Sequence, residues 1–139
     1  MKDFHTFAHQ YIGLQFRHHG RTRDGVDCVG LIIICAQDCG YTGYTPNEEF
    51  EYSKQPRTGQ LRAVIERHLG KPINEPPQVN DVVLMTINNA EVHCGIITTH
   101  PHGIGIIHAY GSVKKVVYHR WTDEMEMNLA DVYRWKNAN

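Results

Sequence analysis

Cys28, His93 and His108 are the residues of this chain whose types and surroundings suit nucleophilic chemistry. Cys28 follows Asp27, a residue type that caps helices, and opens the mostly apolar run 28–38. Its thiol therefore falls in the first turn of a predicted helix, where unpaired backbone N–H groups and the positive end of the dipole favour thiolate over thiol. Such a nucleophile needs a base within hydrogen-bond reach, and the base needs a third group to hold its ring. His93 opens a strand in Val92-His93-Cys94-Gly95-Ile96, and His108 lies near the end of the next strand, in Ile106-Ile107-His108-Ala109. A hairpin about Pro101-His102-Gly103 brings the two imidazoles together on neighbouring strands. The chemistry open to this trio is acyl transfer: sulfur attacks an amide carbonyl, the leaving amine is protonated, and water hydrolyses the thioester.

Each residue also has a plainer use. Cysteine is among the most buried residue types, and a strand histidine is commonly a satisfied core or surface group. Asp27 is explained by capping alone, worth about 1 kcal/mol. Arg17, Arg21 and Arg23 read as a solvated basic turn near Cys28 that can also receive substrate carboxylates. Cys35 and Cys39 read as small apolar side chains, with Cys35 packing towards the sheet from the stripe it shares with Cys28. One cysteine with two histidines would suit zinc, but the sequence has no paired-cysteine knuckle and no His-Glu-x-x-His helix, so no metal or other cofactor is expected. The four cysteines lack the spacing of a disulfide scaffold, and free thiols are expected.

The elements that must position these groups follow from periodicity. Phe4, Phe7, Ala8, Tyr11 and Ile12 recur at helical offsets, with Asp3 as a cap and Gly13 as a stop. Residues 17–25 read as a loop. The helix from Cys28 closes at Gly40, where glycine accepts a left-handed cap. Residues 41–55 have no sustained period and read as an irregular surface segment able to line a groove. Thr58 precedes a third helix carrying Leu61, Val64, Ile65, His68 and Leu69, stopped by Gly70 and Pro72. After Pro76-Pro77, the β-branched runs 82–87, 92–98, 104–109, 113–118 and 130–135 predict five strands joined by turns short enough for antiparallel hairpins. Helices first and strands after make an α+β fold.

At 139 residues the chain fits one domain, residues 1–139. Lys and Arg number 14 against 15 Asp and Glu, with no block of one sign, which argues against nucleic acid as a partner. The apolar run from Val29 to Ala36 falls far short of the ~20 residues of a membrane span. The first residues show no secretion-signal pattern, so synthesis in the cytoplasm without membrane insertion is expected.

Together these blocks resemble the NlpC/p60 family of cell-wall cysteine peptidases, whose core is papain-like. Gly20-Arg21 and Gly25-Val26-Asp27-Cys28-Val29-Gly30-Leu31 are similar to the family's Asp-Cys-Ser-Gly-Leu nucleophile block. Pro56-Arg57 and Gln78-Val79-Asn80-Asp81-Val82 resemble its Gly-Asp strand start, His93-Cys94-Gly95-Ile96 its His-Val-Gly-Ile base motif, and Ile107-His108-Ala109 its third catalytic position. The resemblance spans most of the chain. It implies a papain-like NlpC-type fold, with N-terminal helices packed on a C-terminal antiparallel sheet. It also implies hydrolysis of a peptidoglycan stem peptide, typically between γ-linked D-glutamate and diaminopimelate or lysine, with Cys28 as nucleophile, His93 as base and His108 as orienter. Asp27 gains a substrate-facing role by the same resemblance. The compact form further resembles peptidases of phage and prophage tails, which implies other tail proteins as partners and action on the cell wall from the virion.

Two positions depart from the family pattern. Val29 stands where the family usually has serine, and Phe16 where many members have a tyrosine that helps orient substrate near the thiol. Each removes a hydroxyl, which bears on the stem peptide recognised. They also support a second class of reading, a tail or assembly component that keeps the fold with weak or no activity. A papain-like acyl transferase acting on lipids would call for an exposed apolar patch, and no amphipathic anchor is visible.

Overall fold

The computed structural model describes residues 3–40, 59–87 and 90–135. Within them the chain forms α1 (Phe4–Ala8), a 3-10 turn (His9–Tyr11), β1 (Arg21–Thr22), β2 (Gly25–Val26), α2 (Cys28–Cys39), α3 (Gln60–Leu69) and β3 (Val82–Ile87). There follow β4 (Ala90–His100), β5 (Gly103–Tyr110), β6 (Lys115–Arg120), α4 (Asp123–Met127) and β7 (Leu129–Tyr133). The expectations for residues 41–55, for Pro56-Arg57 and Thr58, and part of the short turn expected between the strands 82–87 and 92–98 lie outside the described residues.

Burial, rather than intrinsic propensity, makes α2 a helix. Ile32, Ile33 and Ile34 are three β-branched residues in succession, each less favourable than alanine by about 0.5 kcal/mol. Every residue from Cys28 to Ala36 is nevertheless buried, and hiding one large aliphatic side chain contributes about 1.5–3 kcal/mol. At the helix start, the Asp27 carboxylate accepts the Gly30 N–H at 2.8 Å, and Gly40 ends the helix at φ 73°. Gly30 answers a separate need. A Cβ there would lie 2.0 Å from the Gly20 carbonyl oxygen, so the first turn can dock on the preceding loop only without a side chain.

Among the described residues, β3 to β7 pair antiparallel in the order β6-β5-β4-β3-β7. One face carries Leu84, Cys94, Ile96, Ile107 and Val116 against the buried sides of α1, α2 and α3. The opposite face carries Val83, Met85, Ile97, Ile106 and Val132, with Ile73, Trp121, Met125 and Leu129 packed over them. Polar ties fix the helices to this sheet. Thr98 Oγ1 meets His5 Nδ1 at 2.7 Å and His9 Nε2 at 2.9 Å, anchoring α1 to β4. Tyr133 donates to Glu66 at 2.9 Å and Arg62 pairs with Asp131, anchoring α3 to β7. Asp81, fully buried before β3, takes the Arg134 guanidinium as a fork at 2.8 and 2.9 Å. Asn80, just before it, holds φ 81°, a conformation asparagine tolerates better than most residues.

The α+β order and the five-strand antiparallel sheet agree with expectation, while several local readings are corrected. Asp3 makes no side-chain cap, because its carboxylate pairs with His5 Nε2 at 3.0 Å. The first helix tightens into a 3-10 turn after Ala8, which leaves Ile12 exposed rather than on the core face. The loop 17–25 contains the small β1-β2 hairpin. β6 starts at Lys115 rather than 113, since Lys114 at φ 60° still belongs to the turn, and it runs on to Arg120. β7 is Leu129–Tyr133 rather than 130–135. α4 was not expected: Thr122 caps it through the Met125 N–H at 3.2 Å, with acids in the first turn, and that capping pattern was its signal. Cys35 belongs to the core cluster shared with the sheet and also donates its S–H to the Phe4 carbonyl of α1 at 3.1 Å.

Substituting Gly30→Ala should force the first turn of α2 away from the Gly20 loop. A destabilisation of about 1–3 kcal/mol is expected in urea unfolding, and an unchanged midpoint would refute the close approach.

Candidate active site

Cys28 occupies the first position of α2, where the helix's N-terminal N–H groups converge. The turn beneath it is organised by Asp27, only 2% exposed. One oxygen of that carboxylate takes the Gly30 N–H at 2.8 Å and Arg21 Nη1 at 3.1 Å, and the other takes the His19 N–H at 2.8 Å. Arg21 also donates to the Gly20 carbonyl at 3.0 Å. Asp27 and Arg21, expected also to face substrate, are therefore tied to each other beneath the thiol. Arg23 pairs with Asp38 and lies over the Tyr11 ring. Phe16 bridges to Val26 and packs its ring against Gly111. Val29 is buried in the core.

The strands supply the imidazoles. His93 lies inside β4 rather than at its start, because pairing with β3 begins at Ala90. The β4-β5 hairpin closes at His100 and Gly103, as expected, and pairs Ile96 with Ile107. Continuing that register sets Gly95 opposite His108 and makes His93 its diagonal neighbour on the same face. The result is a contact of 2.6 Å between His93 Nε2 and His108 Nδ1. Gly95 permits it, since a Cβ there would sit 3.0 Å from the His108 Cβ.

Two neighbours went unseen in the sequence reading. Cys94 alternates to the opposite face from His93, into the cluster that holds Cys28. His119 lies on β6, beyond the expected end of that strand, and its Nε2 stands 2.9 Å from His108 Nε2. Its own Nδ1 donates to the Arg120 carbonyl at 2.8 Å. The register that sets Val117 opposite His108, and the continuation of β6 to Arg120, bring His119 onto the face of His108.

Electrostatics separate the thiols. Hydrogen bonding to the Cys94 thiol, then to His93, with the imidazole's charge, pulls the Cys28 pKa down to about 6 against the burial that raises it. Burial pushes Cys94 and Cys35 up, aided by their neighbouring cysteines, so both remain thiols. Burial, with the charges of His93 and His119, drops His108 to about 3, so it is a neutral imidazole across the working range. The three histidines border a cleft of about 300 Å³ shared with Tyr110, Glu124 and Met125. Among the described residues, no group of His, Cys, Asp or Glu is arranged to hold a metal ion, and no helix is long and apolar enough to cross a membrane. The arrangement is chemically equipped for a thiolate beside an oriented imidazole.

Comparisons with known proteins locate this geometry in a fold. No protein-family model matches the sequence, and no curated protein matches it significantly. Solved structures do. The NlpC/p60 domain of the peptidoglycan hydrolase SagA superposes with a TM-score of 0.59 at 15% identity, covering 94% of this chain and 95% of that one. An NlpC/p60 family protein from Bacillus cereus gives 0.60 at 15% identity, covering 96% of this chain and 39% of that longer one. An N-acetylmuramoyl-L-alanine amidase from Bacteroides uniformis gives 0.52 at 14% identity, covering 96% and 98%. At these identities the likeness establishes the fold: helices on a five-strand antiparallel sheet, as in NlpC/p60 domains.

Iodoacetamide should alkylate Cys28 ahead of the other three thiols, with a rate that rises through a midpoint near pH 6; peptide mass mapping across pH checks this, and equal labelling of all four would refute it. His108 carries a stability consequence as well. Its folded pKa lies below the ordinary 6.5, so the unfolded chain takes the proton first, and stability present above pH 6.5 is lost as pH falls towards 3. Thermal melts of His108→Asn should show a shallower loss over that interval than the parent.

Proposed function

We propose that this protein is a cysteine hydrolase of peptidoglycan that cuts an amide bond in the stem peptide, the γ-D-glutamyl bond to diaminopimelate or lysine. The observation that carries the reading is a thiol of depressed pKa at a helix start, beside an imidazole that a second, neutral imidazole holds at 2.6 Å. The fold supports it, because solved NlpC/p60 domains, one of them from a peptidoglycan hydrolase, share the same arrangement of helices and sheet.

In this mechanism the Cys28 thiolate attacks the amide carbonyl. Charge developing on the carbonyl oxygen is met by backbone N–H groups at the start of α2, including that of Cys28. The His93 imidazolium gives its proton to the leaving amine as the C–N bond breaks, leaving an acyl thioester on Cys28. Neutral His93 then takes a proton from water, which attacks the thioester, releasing the product as a carboxylic acid that gives its proton to solvent and restoring the thiolate-imidazolium pair. His108 fixes the ring of His93 throughout. The proposal extends to action on the cell wall as part of a phage or prophage tail.

The test is incubation of the protein with defined muropeptides, read by mass spectrometry. Scission after γ-D-glutamate supports the proposal. Release of the peptide at the lactyl-alanine amide would instead give it the bond named for the Bacteroides uniformis amidase. No scission of any fragment would favour a tail component without activity. Cys28→Ala should lower the rate by at least about 10⁴-fold, and His93→Ala comparably. His108→Ala, which misplaces the base rather than removing it, should cost about a hundredfold.

A further inference from the structure

We infer that His119 is a positioning residue that sets the tautomers of the whole imidazole row and thereby keeps the thiolate-imidazolium pair formed. The inference rests on the reaction proposed above for its catalytic consequence, while the proton positions themselves follow from the geometry of the row.

The row begins at a group that can only accept. The Arg120 carbonyl faces His119 Nδ1 at 2.8 Å, so that nitrogen carries hydrogen. In neutral His119, Nε2 then presents a lone pair. His108 Nε2 stands 2.9 Å from it and must supply the hydrogen. Because His108 is buried and neutral, its Nδ1 is left bare. That bare nitrogen accepts from His93 Nε2 at 2.6 Å, which leaves His93 Nδ1 for the Cys28 sulfur. With His119 and His108 both neutral, each assignment follows from the one before it, and the Arg120 carbonyl starts the sequence.

The consequence falls on the charged form of His93. An imidazolium carries hydrogen on both nitrogens, so its Nε2–H needs an acceptor on His108, and only the Nε2–H tautomer of His108 offers one. Without an acceptor at position 119, His108 would leave its Nε2–H unpaired in a buried place or turn to the Nδ1–H form. The second choice sets donor against donor at His93. Either outcome destabilises the imidazolium and, with it, the thiolate of Cys28.

The strands make this row possible. His93, His108 and His119 lie on β4, β5 and β6, and each is diagonal to the next. His108 pairs with Val117, and His119 follows two residues later on the same face. The ring centroids are 4.9 Å apart for His93 and His108 and 5.0 Å for His108 and His119. The titratable groups that share the cleft with His119 are His93 on β4, His108 and Tyr110 on β5, and Glu124 on α4.

Two measurements test the inference without any substrate, so they stand or fall separately from the cell-wall reading. Long-range ¹H–¹⁵N spectra of the histidine rings in the unmodified protein should show His108 as the Nε2–H tautomer at neutral pH; an Nδ1–H tautomer overturns the inference. Alkylation of Cys28 across pH is then compared in His119→Leu and His119→Gln. The leucine variant should shift the midpoint upward by about one pH unit, which is about a tenfold slower reaction below the midpoint. The glutamine variant can accept from His108 and donate to the Arg120 carbonyl, and should keep the parental profile. A leucine variant with the parental midpoint, or a glutamine variant shifted as far as leucine, overturns the inference. With muropeptides, the leucine variant should narrow the pH profile of kcat and leave KM within about twofold, as expected for a lost contact that binds no substrate.

Discussion

The Asp27 carboxylate lies almost wholly out of water beneath the first turn of α2, and the position of the Cys28 sulfur depends on it. A buried carboxylate is tolerated only when its lone pairs are met, and here the Gly30 N–H, the His19 N–H and the Arg21 guanidinium meet them. These bonds join the helix start to the glycine-bearing loop before it, and the missing side chain of Gly30 lets the two surfaces close to backbone contact. Cys28 is thereby held at the helix terminus, where backbone dipoles favour negative charge. A looser cap would let the first turn fray and carry the thiol away from β4.

The sheet contributes order of a different kind. In an antiparallel sheet, residues on one face meet directly or on the diagonal at fixed spacings, whatever their distance in sequence. Three histidines on three adjacent strands use that lattice, and hydrogen bonds of 2.6 and 2.9 Å join them. Low polarity around His108 keeps it neutral, and a neutral imidazole can accept on one side while donating on the other. A permanently charged group in the middle of the row would lose that ability.

The two faces of the sheet divide the labour. α1, α2 and α3 cover one face with an almost wholly apolar interface that carries the chain's main core. The other face has a smaller apolar cluster and a cleft rimmed by the histidines and α4. The Cys28 sulfur belongs to the first cluster, and the cleft opens on the side of the imidazoles. Buried tertiary packing of this sort is what lets a site hold angles that its individual hydrogen bonds could not hold alone.

Local chemistry made part of this legible before any coordinates. The cap at Asp27, the thiol at Cys28, the stop at Gly40 and the hairpin at Pro101-His102-Gly103 each depend on residues within a few positions of one another, and such spacing is written directly in the chain. The pairing of His93 with His108 followed from the same hairpin. His119 did not, because the turn of residues 111–114, with Lys114 at a positive φ, sets Val117 opposite His108, and the strand then runs past its expected end far enough to include His119. Nor did the contact of Cys94 with Cys28 or the capture of Arg21 by Asp27. These join elements whose mutual distance and register are set by packing across the whole sheet, so no window of neighbouring residues contains the information.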